Sequence, residues 1–247
     1  MQEMFPPKLK NVDKYQPDYP LGKFPNGFAF ELGRELIYLL ATRQPPTLEG
    51  SDWEKIFARC IGAQWTPSNV GLDDVQHRQM AWSAKTVKNK NPFSVRHVRL
   101  ICGRNSLDYS FNVENVHTED PNSLGEKVLD IWNARITDVR KKFATTRTVV
   151  LIKGNDLSEV AVFEEEALKF LPEEYEWEWN QNGNLDGYAK GTDVKRFTWQ
   201  PHGAQFTVKT NVPDNRLKLR IKCPPLLDRD RVLEQLKFNT SWIEVVS

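Results

Sequence analysis

Gly71-Leu72-Asp73-Asp74-Val75-Gln76-His77-Arg78-Gln79-Met80-Ala81-Trp82-Ser83-Ala84-Lys85 is the stretch that decides how this chain is read. Two strand-like runs, Val70 to Gln76 and Gln79 to Val87, adjoin here and predict a β-hairpin. Two acids follow the first short apolar run, and a lysine sits near the end of the next. Strand side chains alternate between faces, so Ser83 and Lys85 share one face while Trp82 and Ala84 take the other. An acid on one strand beside a lysine on its hairpin partner can hold a divalent cation and a water molecule. That is the chemistry of metal-dependent phosphodiester cleavage.

Helices flank the hairpin in the sequence. Upstream, Trp53, Ile56, Phe57, Cys60 and Ile61 recur at i, i+3, i+4, i+7 and i+8, which is one helical face. Ser51-Asp52-Trp53-Glu54 has capping-box spacing, so this helix is expected to begin at Ser51. Phe30 to Thr42 reads as an earlier helix ended by Pro45-Pro46, and residues 1–29 as an irregular arm rich in Pro and Gly. Downstream, His97 to Gly103 reads as a third strand. Ser123-Leu124-Gly125-Glu126 is a second capping-box pattern opening a long helix, with Leu124, Val128, Ile131, Trp132, Ile136, Val139 and Phe143 on its apolar face. Thr146 to Lys153, with Val149-Val150-Leu151-Ile152, reads as a fully buried strand. The last third reads as mixed: a strand over Val160 to Phe163, a short helix over Glu164 to Leu171, a hairpin turn at Asn182-Gly183, strands within Phe197 to Thr210 and Arg216 to Lys222, and a helix over Asp228 to Lys237.

The expected fold is therefore α/β. An N-terminal arm and helix fill residues 1–50. A core of helix, three strands, helix and strand, forming a mixed sheet flanked by helices, fills 51–155. A mixed, β-rich C-terminal extension over 156–247 packs in the same domain. With 247 residues, 39% of them hydrophobic, the chain can bury a sizeable core. No apolar run is long enough to span a membrane, and Met1-Gln2-Glu3-Met4-Phe5-Pro6-Pro7 lacks the pattern of a signal peptide. Cys60, Cys102 and Cys223 form no CxxC pair, which argues against structural zinc and for a reducing, cytoplasmic setting. The four histidines have no ligand spacing, and no Gly-rich phosphate loop occurs. Ser83-x-Lys85 lacks the oxyanion features of a Ser/Lys hydrolase.

The order of elements, the acid pair at the first strand and the x-x-Lys on the second together resemble the PD-(D/E)XK nuclease superfamily, in particular type II restriction endonucleases. The resemblance covers roughly residues 51–153. It implies a Mg²⁺-dependent endonuclease acting on double-stranded DNA and leaving 5′-phosphate ends. A homodimer matched to palindromic sites and a cognate DNA methyltransferase are implied by the same analogy. The metal-binding aspartate would be Asp73 or Asp74, which the pattern does not separate. Lys85 would orient or stabilise the attacking water, and the Ala84 carbonyl would complete part of the metal shell. Ser83 stands where the family usually has Glu or Asp. It cannot replace the missing charge around a hard cation, so a second carboxylate is needed. Glu54, on the preceding helix, is the candidate. The same fold without cleavage, as a DNA-binding protein, is the alternative reading, as is a repair, junction-resolving or modification-dependent nuclease.

Each of these residues also has an ordinary structural reading: Glu54 as a helix cap, Asp73-Asp74 as a turn, Lys85 as the start of a solvated basic run. The formal net charge of +1 conceals blocks, for Lys85, Lys88, Lys90, Arg96, Arg99 and Arg104 occur without an intervening acid. Lys88 and Lys90 are accordingly candidate phosphate contacts. Arg216, Lys218 and Arg220 alternate with leucines, which puts their side chains on one sheet face and makes them further candidates. Gln200, His202 and Gln205 lie in the most loop-like polar stretch and could read bases. Arg104 and Asn105, after the third strand, complete the expected DNA-contact set.

Overall fold

A computed structural model describes residues 15–67 and 71–246. The first helix, α1 (Phe28–Thr42), is succeeded by α2 (Gly50–Cys60). The capping box of α2 uses Glu49 and Asp52, two residues before the pair that the spacing suggested. Glu54 is thereby inside the helix and released from capping. Short strands β1 (Gln64–Trp65) and β2 (Val75–His77) lead into β3 (Met80–Lys88). The expected first strand began at Val70, which lies outside the described residues. The observed one starts only at Val75, so the acid pair precedes β2 rather than ending it.

Next along the chain are β4 (His97–Arg104), the short α3 (Leu107–Phe111), α4 (Pro121–Lys142), β5 (Thr145–Lys153) and β6 (Glu159–Glu166). Asp120 caps α4 by accepting from the Ser123 N–H, with Pro121 in the first turn, so the Ser123 pattern is not the cap. The helix expected from Glu164 does not form. Glu164, Glu165 and Glu166 instead finish β6. Then come β7 (Tyr175–Trp179), β8 (Leu185–Ala189), β9 (Lys195–Gln200), β10 (Gln205–Asn211), β11 (Leu217–Arg220) and α5 (Arg229–Gln235).

Two sheets result. The first is mixed, in the order β1-β2-β3-β5-β6-β11, with β3 and β5 parallel and the other described pairs antiparallel. The second is antiparallel, in the order β4-β10-β9-β8-β7. The third strand of the expected core, β4, thus leaves the hairpin for the second sheet. Its burial pattern explains why. Val98, Leu100 and Cys102 point inward while Arg99 and Ile101 face water, the alternation of a strand with one solvated face. In β5, Thr146 to Ile152 are all buried, as the centre of a covered sheet requires.

Side-chain parity in the first sheet separates two cores. Met80, Trp82, Ala84, Val149, Leu151, Val160 and Val162 pack toward α1 and α2. Ala81, Val150, Ile152, Ala161 and Phe163 pack on the opposite face with α4 and the second sheet. At the α1/α2 face lies a buried polar cluster. Glu164 accepts from Tyr19 Oη at 2.8 Å, Trp82 Nε1 at 2.7 Å and Arg147 Nη1 at 3.2 Å. Arg147 Nη2 also donates to the Tyr19 carbonyl at 2.9 Å. Burial pushes the Glu164 carboxyl above its ordinary range, against the opposing pull of Arg147 and the two hydrogen-bond donors.

Removing one partner of an enclosed ion pair leaves the other charge uncompensated. Glu164→Ala is therefore expected to cost about 3–5 kcal/mol in urea unfolding. A joint Glu164→Leu, Arg147→Met change should cost markedly less than Glu164→Ala alone, as read by the same measurement.

Candidate active site

The β2–β3 ladder ends at Val75 opposite Trp82. Beyond it the chain before β2 pulls away from β3, and Asp73 and Asp74 occupy that divergence. Asp74 is fixed from both ends: its carbonyl accepts from the Thr66 N–H at 2.8 Å, and its Oδ2 accepts from the Ala84 N–H at 3.4 Å. A residue in a strand directs its N–H and C=O toward the same neighbour. The Ala84 carbonyl therefore faces the same gap as the Asp74 carboxylate. Ser83 is fully enclosed, and its hydroxyl donates to the Gly71 carbonyl at 2.7 Å. Ser83, counted in the expected catalytic set as the residue standing in the family's Glu or Asp position, thus ties the acid-bearing segment to β3 through its hydroxyl.

Asp74 is only 6% exposed, and its pKa is pushed up to about 6. Burial is the main cause, with Glu54 and Asp73 adding repulsion, while Lys85 and the Ala84 N–H pull the other way. Three of the expected site residues therefore act electrostatically on a fourth. Glu54 reaches the site from α2, where Trp65 Nε1 donates to its Oε2 at 2.9 Å. Lys55 stacks over the same indole at 4.4 Å. Trp65 is thus a positioning residue missed by the sequence reading, since a lone tryptophan in a two-residue strand carries no periodic signal.

The donor set suits a hard divalent cation in kind: Asp74, Asp73 and Glu54 carboxylates and the Ala84 carbonyl are all oxygens. The Asp73 Oδ1 atom is buried without a hydrogen-bond partner, and the Asp74 carboxylate has only one long protein hydrogen bond among the described residues. The unpartnered Asp73 oxygen is a group that a cation or ordered water would satisfy. Among the described residues, however, no three His, Cys, Asp or Glu side chains already converge on one metal-sized space.

Lys85 lies on the β3 face opposite Trp82. It acts electrostatically on Cys102 of β4, whose thiol burial pushes up to about 11. Cys102 occupies a β-bulge: β10 pairs Phe206 with Gly103 and Thr207 with Ile101, leaving Cys102 unmatched. Arg135 of α4 donates to the carbonyls of Cys102 and Arg104 at this bulge. Beside it, Gln205 is in register with both Arg104 and Gln200, and His202 is exposed in the connecting turn. Arg104, Gln200, His202 and Gln205 are thereby brought together at the end of the second sheet nearest Lys85.

Other expected DNA contacts are placed elsewhere. Asn105 is fully buried, donating from Nδ2 to the Val128 carbonyl at 2.8 Å and from its backbone N–H to the Ala204 carbonyl at 2.7 Å. It is an interior connector and leaves the set. Lys88 and Lys90 are exposed at the far end of β3 and just beyond. Lys218 and Arg220 lie on β11 and Arg216 just before it, and β11 is four strand steps or about 19 Å from β2. Arg216 is engaged with the Pro213 and Phe93 carbonyls, and the exposed Arg220 with Glu159 at 2.7 Å and the Phe93 ring, whereas Lys218 is exposed with no ion pair among the described residues. A cleft of about 730 Å³ opens between the two sheets and is lined by Cys102, Thr148, Glu165 and Arg196 among others. Thr148 pairs with Ser83, so the cleft borders the back of the candidate site.

The chain matches no protein-family model, no curated protein and no solved structure. No helix among the described residues is long and apolar enough to cross a membrane.

Asp74 gives the site a pH signature. Above about pH 6 its carboxylate is charged whether the chain is folded or not, and folding carries the desolvation cost. Between about pH 6 and the ordinary value of 3.8 the folded state takes up the proton first, so stability is gained as the pH falls through that window. The shift corresponds to about 3 kcal/mol. In a chelator, Asp74→Asn should therefore be more stable than the parent at pH 8, and the advantage should vanish by pH 4, as read by urea unfolding across pH.

Proposed function

We propose that the chain is a Mg²⁺-dependent endonuclease that cleaves double-stranded DNA at specific sequences, in the manner of a type II restriction endonuclease. The observation that carries this reading is the Asp74 carboxylate bonded to the Ala84 N–H, under the combined fields of Lys85, Glu54 and Asp73. Burying mutually repelling acids is costly, and a cation offsets that cost.

In this reading Asp74 is the principal metal-binding aspartate, with Asp73, Glu54 and the Ala84 carbonyl as the remaining donors. When bound, Mg²⁺ would polarise the scissile phosphate and stabilise the departing 3′ oxygen. The Lys85 ammonium orients the attacking water and holds the negative charge that develops on it. Trp65 keeps Glu54 from swinging into solvent, and Ser83 keeps the Asp73-Asp74 segment against β3. Arg104, Gln200, His202 and Gln205 would contact the DNA beside Lys85, with the glutamines suited to adenine edges. Lys88, Lys90 and Lys218 are then peripheral phosphate contacts.

Incubation with unmodified plasmid and phage DNA, in Mg²⁺ and in EDTA, tests the reading directly. Discrete Mg²⁺-dependent fragments are expected. Lys85→Ala and Asp74→Ala should each lower cleavage by about 10²–10⁴-fold, with DNA retention in a gel shift preserved. Undiminished cutting by Lys85→Ala would rule this mechanism out. The enclosed Ser83, which supplies no carboxylate on β3, favours one second reading: a DNA-binding protein on the same scaffold that does not cut. Metal-dependent binding with intact DNA would select it.

A further inference from the structure

The cleft between the two sheets has the size of a small-ligand site, its volume of about 730 Å³ falling within the usual range of roughly 300–1,000 Å³. Strand parity puts Phe163 and Glu165 of β6 on the side of the first sheet that faces α4 and the second sheet. Thr148 of β5 is in register with Glu165, so the two side chains stand next to each other on the cleft wall. Trp132 of α4 and Phe170 supply a flat apolar wall, their rings 6.3 Å apart and 26° from parallel. None of these residues belongs to the donor set around Asp74 or to the expected DNA contacts.

The polar groups of the cleft are incompletely paired. Thr148 is 6% exposed, yet its hydroxyl has no hydrogen-bond partner among the described residues. Glu165 accepts from the Thr210 hydroxyl through Oε2 alone, which leaves Oε1 without a partner among the described residues. Burial pushes this carboxyl above its ordinary range, against the pull of Thr210 and Arg196. Arg196 Nη1 donates to the Lys209 carbonyl at 2.7 Å, and its guanidinium lies over the Phe170 ring at 5.9 Å. Its charge acts on Glu165 without an ion pair between them. Buried polar groups in proteins are nearly always satisfied, so an enclosed acid oxygen beside an enclosed hydroxyl marks a place suited to a hydrogen-bond donor.

The charges narrow the choice of ligand. A simple cation would suit Glu165 but would be repelled by Arg196, and a simple anion would meet the reverse. A group with an N–H next to a carbonyl serves both at once, donating to the carboxylate and accepting from the guanidinium. A flat ring bearing that group can also stack on the aromatic wall. We propose that the inter-sheet cleft binds a planar lactam heterocycle of the guanine or uracil class, with its N–H on Glu165, its carbonyl on Arg196 and its ring against Phe170. The Thr148 hydroxyl, which both donates and accepts, takes a further heteroatom of the ring. The chemistry of the candidate active site plays no part in this inference, so either can fail without the other.

Isothermal titration of the full chain with guanosine, uridine and adenosine tests it, since adenosine has no N–H beside a carbonyl. Guanosine or uridine is expected to bind saturably, with a dissociation constant of about 1 mM or tighter, and adenosine about 10-fold more weakly. Glu165→Gln and Arg196→Met should each weaken binding of the lactam by about 10-fold or more, with thermal unfolding recorded to show that both variants are folded. Lys85→Ala should bind as the parent does. Displacement of guanosine by a guanine-rich single-stranded oligonucleotide would assign the ligand to a base within nucleic acid, and its retention would assign it to a free small molecule. No saturable binding, adenosine bound as tightly as the lactams, or full affinity in both cleft variants would overturn the proposal. The first two of these are read on the parent chain alone.

Discussion

The buried carboxylate of Glu164 is the constraint on which the rest of the structure depends. It sits in β6, yet its partners come from the N-terminal segment (Tyr19), from β3 (Trp82) and from β5 (Arg147). An enclosed ion pair tolerates little displacement, because each charge left without its partner costs several kcal/mol. The cluster therefore holds three adjacent strands in one lateral register and one face parity. Trp82 must point toward α1 and α2 to reach Glu164. By alternation, Ser83 and Lys85 cannot, and they are delivered to the margin shared with the second sheet. A one-residue slip of β3 would exchange these faces and break the cluster at the same time.

A second constraint is the brevity of β2. Three residues pair with β3, and N-terminal to them the chain turns away through Gly71, which has φ 70°. That divergence leaves the N–H and C=O of Ala84 without a described strand partner on the β2 side. Asp74 fills part of the gap with a carboxylate. A longer β2 would have satisfied Ala84 with backbone and put the acids on opposite faces of a regular strand. The Ser83 hydroxyl, anchored on the Gly71 carbonyl, keeps the divergent segment close enough for the carboxylate to reach. The site is thus made where regular pairing stops, as functional groups often are.

Most helices and strands were legible because their periodicity is local. The apolar stripe of α2, the run of four β-formers in β5 and the strict alternation in β11 each specify an element without tertiary help. The caps of α2 and α4 were misplaced because Ser-x-x-Glu spacing is permissive, and the carboxylates that take the orphan N–H groups are Glu49 with Asp52 and Asp120 ahead of Pro121. Glu164 to Glu166 read as helical because three successive acids look like solvated surface. Two of them, Glu164 and Glu165, are taken inward by Arg147 and Thr210, far away in sequence. At the candidate site, Asp74, Ala84 and Lys85 were readable from hairpin alternation. Trp65 as the partner of Glu54, and Asn105 as an interior connector, depend on contacts that no spacing encodes.

Withdrawal of β4 from the first sheet has a consequence for how the two sheets cooperate. Had β4 extended the hairpin, its residues would have lain alongside the acids as backbone. As an edge strand of the second sheet it instead brings a bulge at Cys102 near Lys85, and Arg135 secures the bulge by donating to the carbonyls of Cys102 and Arg104. Gly103 there has φ 121°, and a Cβ at that position would run into the Arg135 guanidinium. A bulge bends its strand and re-aims the residues beyond it. Arg104 is the residue so re-aimed, in register with Gln205 and through it with Gln200. The polar group best suited to meet a polymer beside Lys85 is thus carried on a different sheet from the acids. Its position relative to them is fixed by α4, whose Trp132, Ile136 and Val139 share one core with both sheets. Displacing α4 by even a fraction of a turn would separate the two halves of the site without disturbing either sheet, because the sheets share no hydrogen-bond ladder among the described residues.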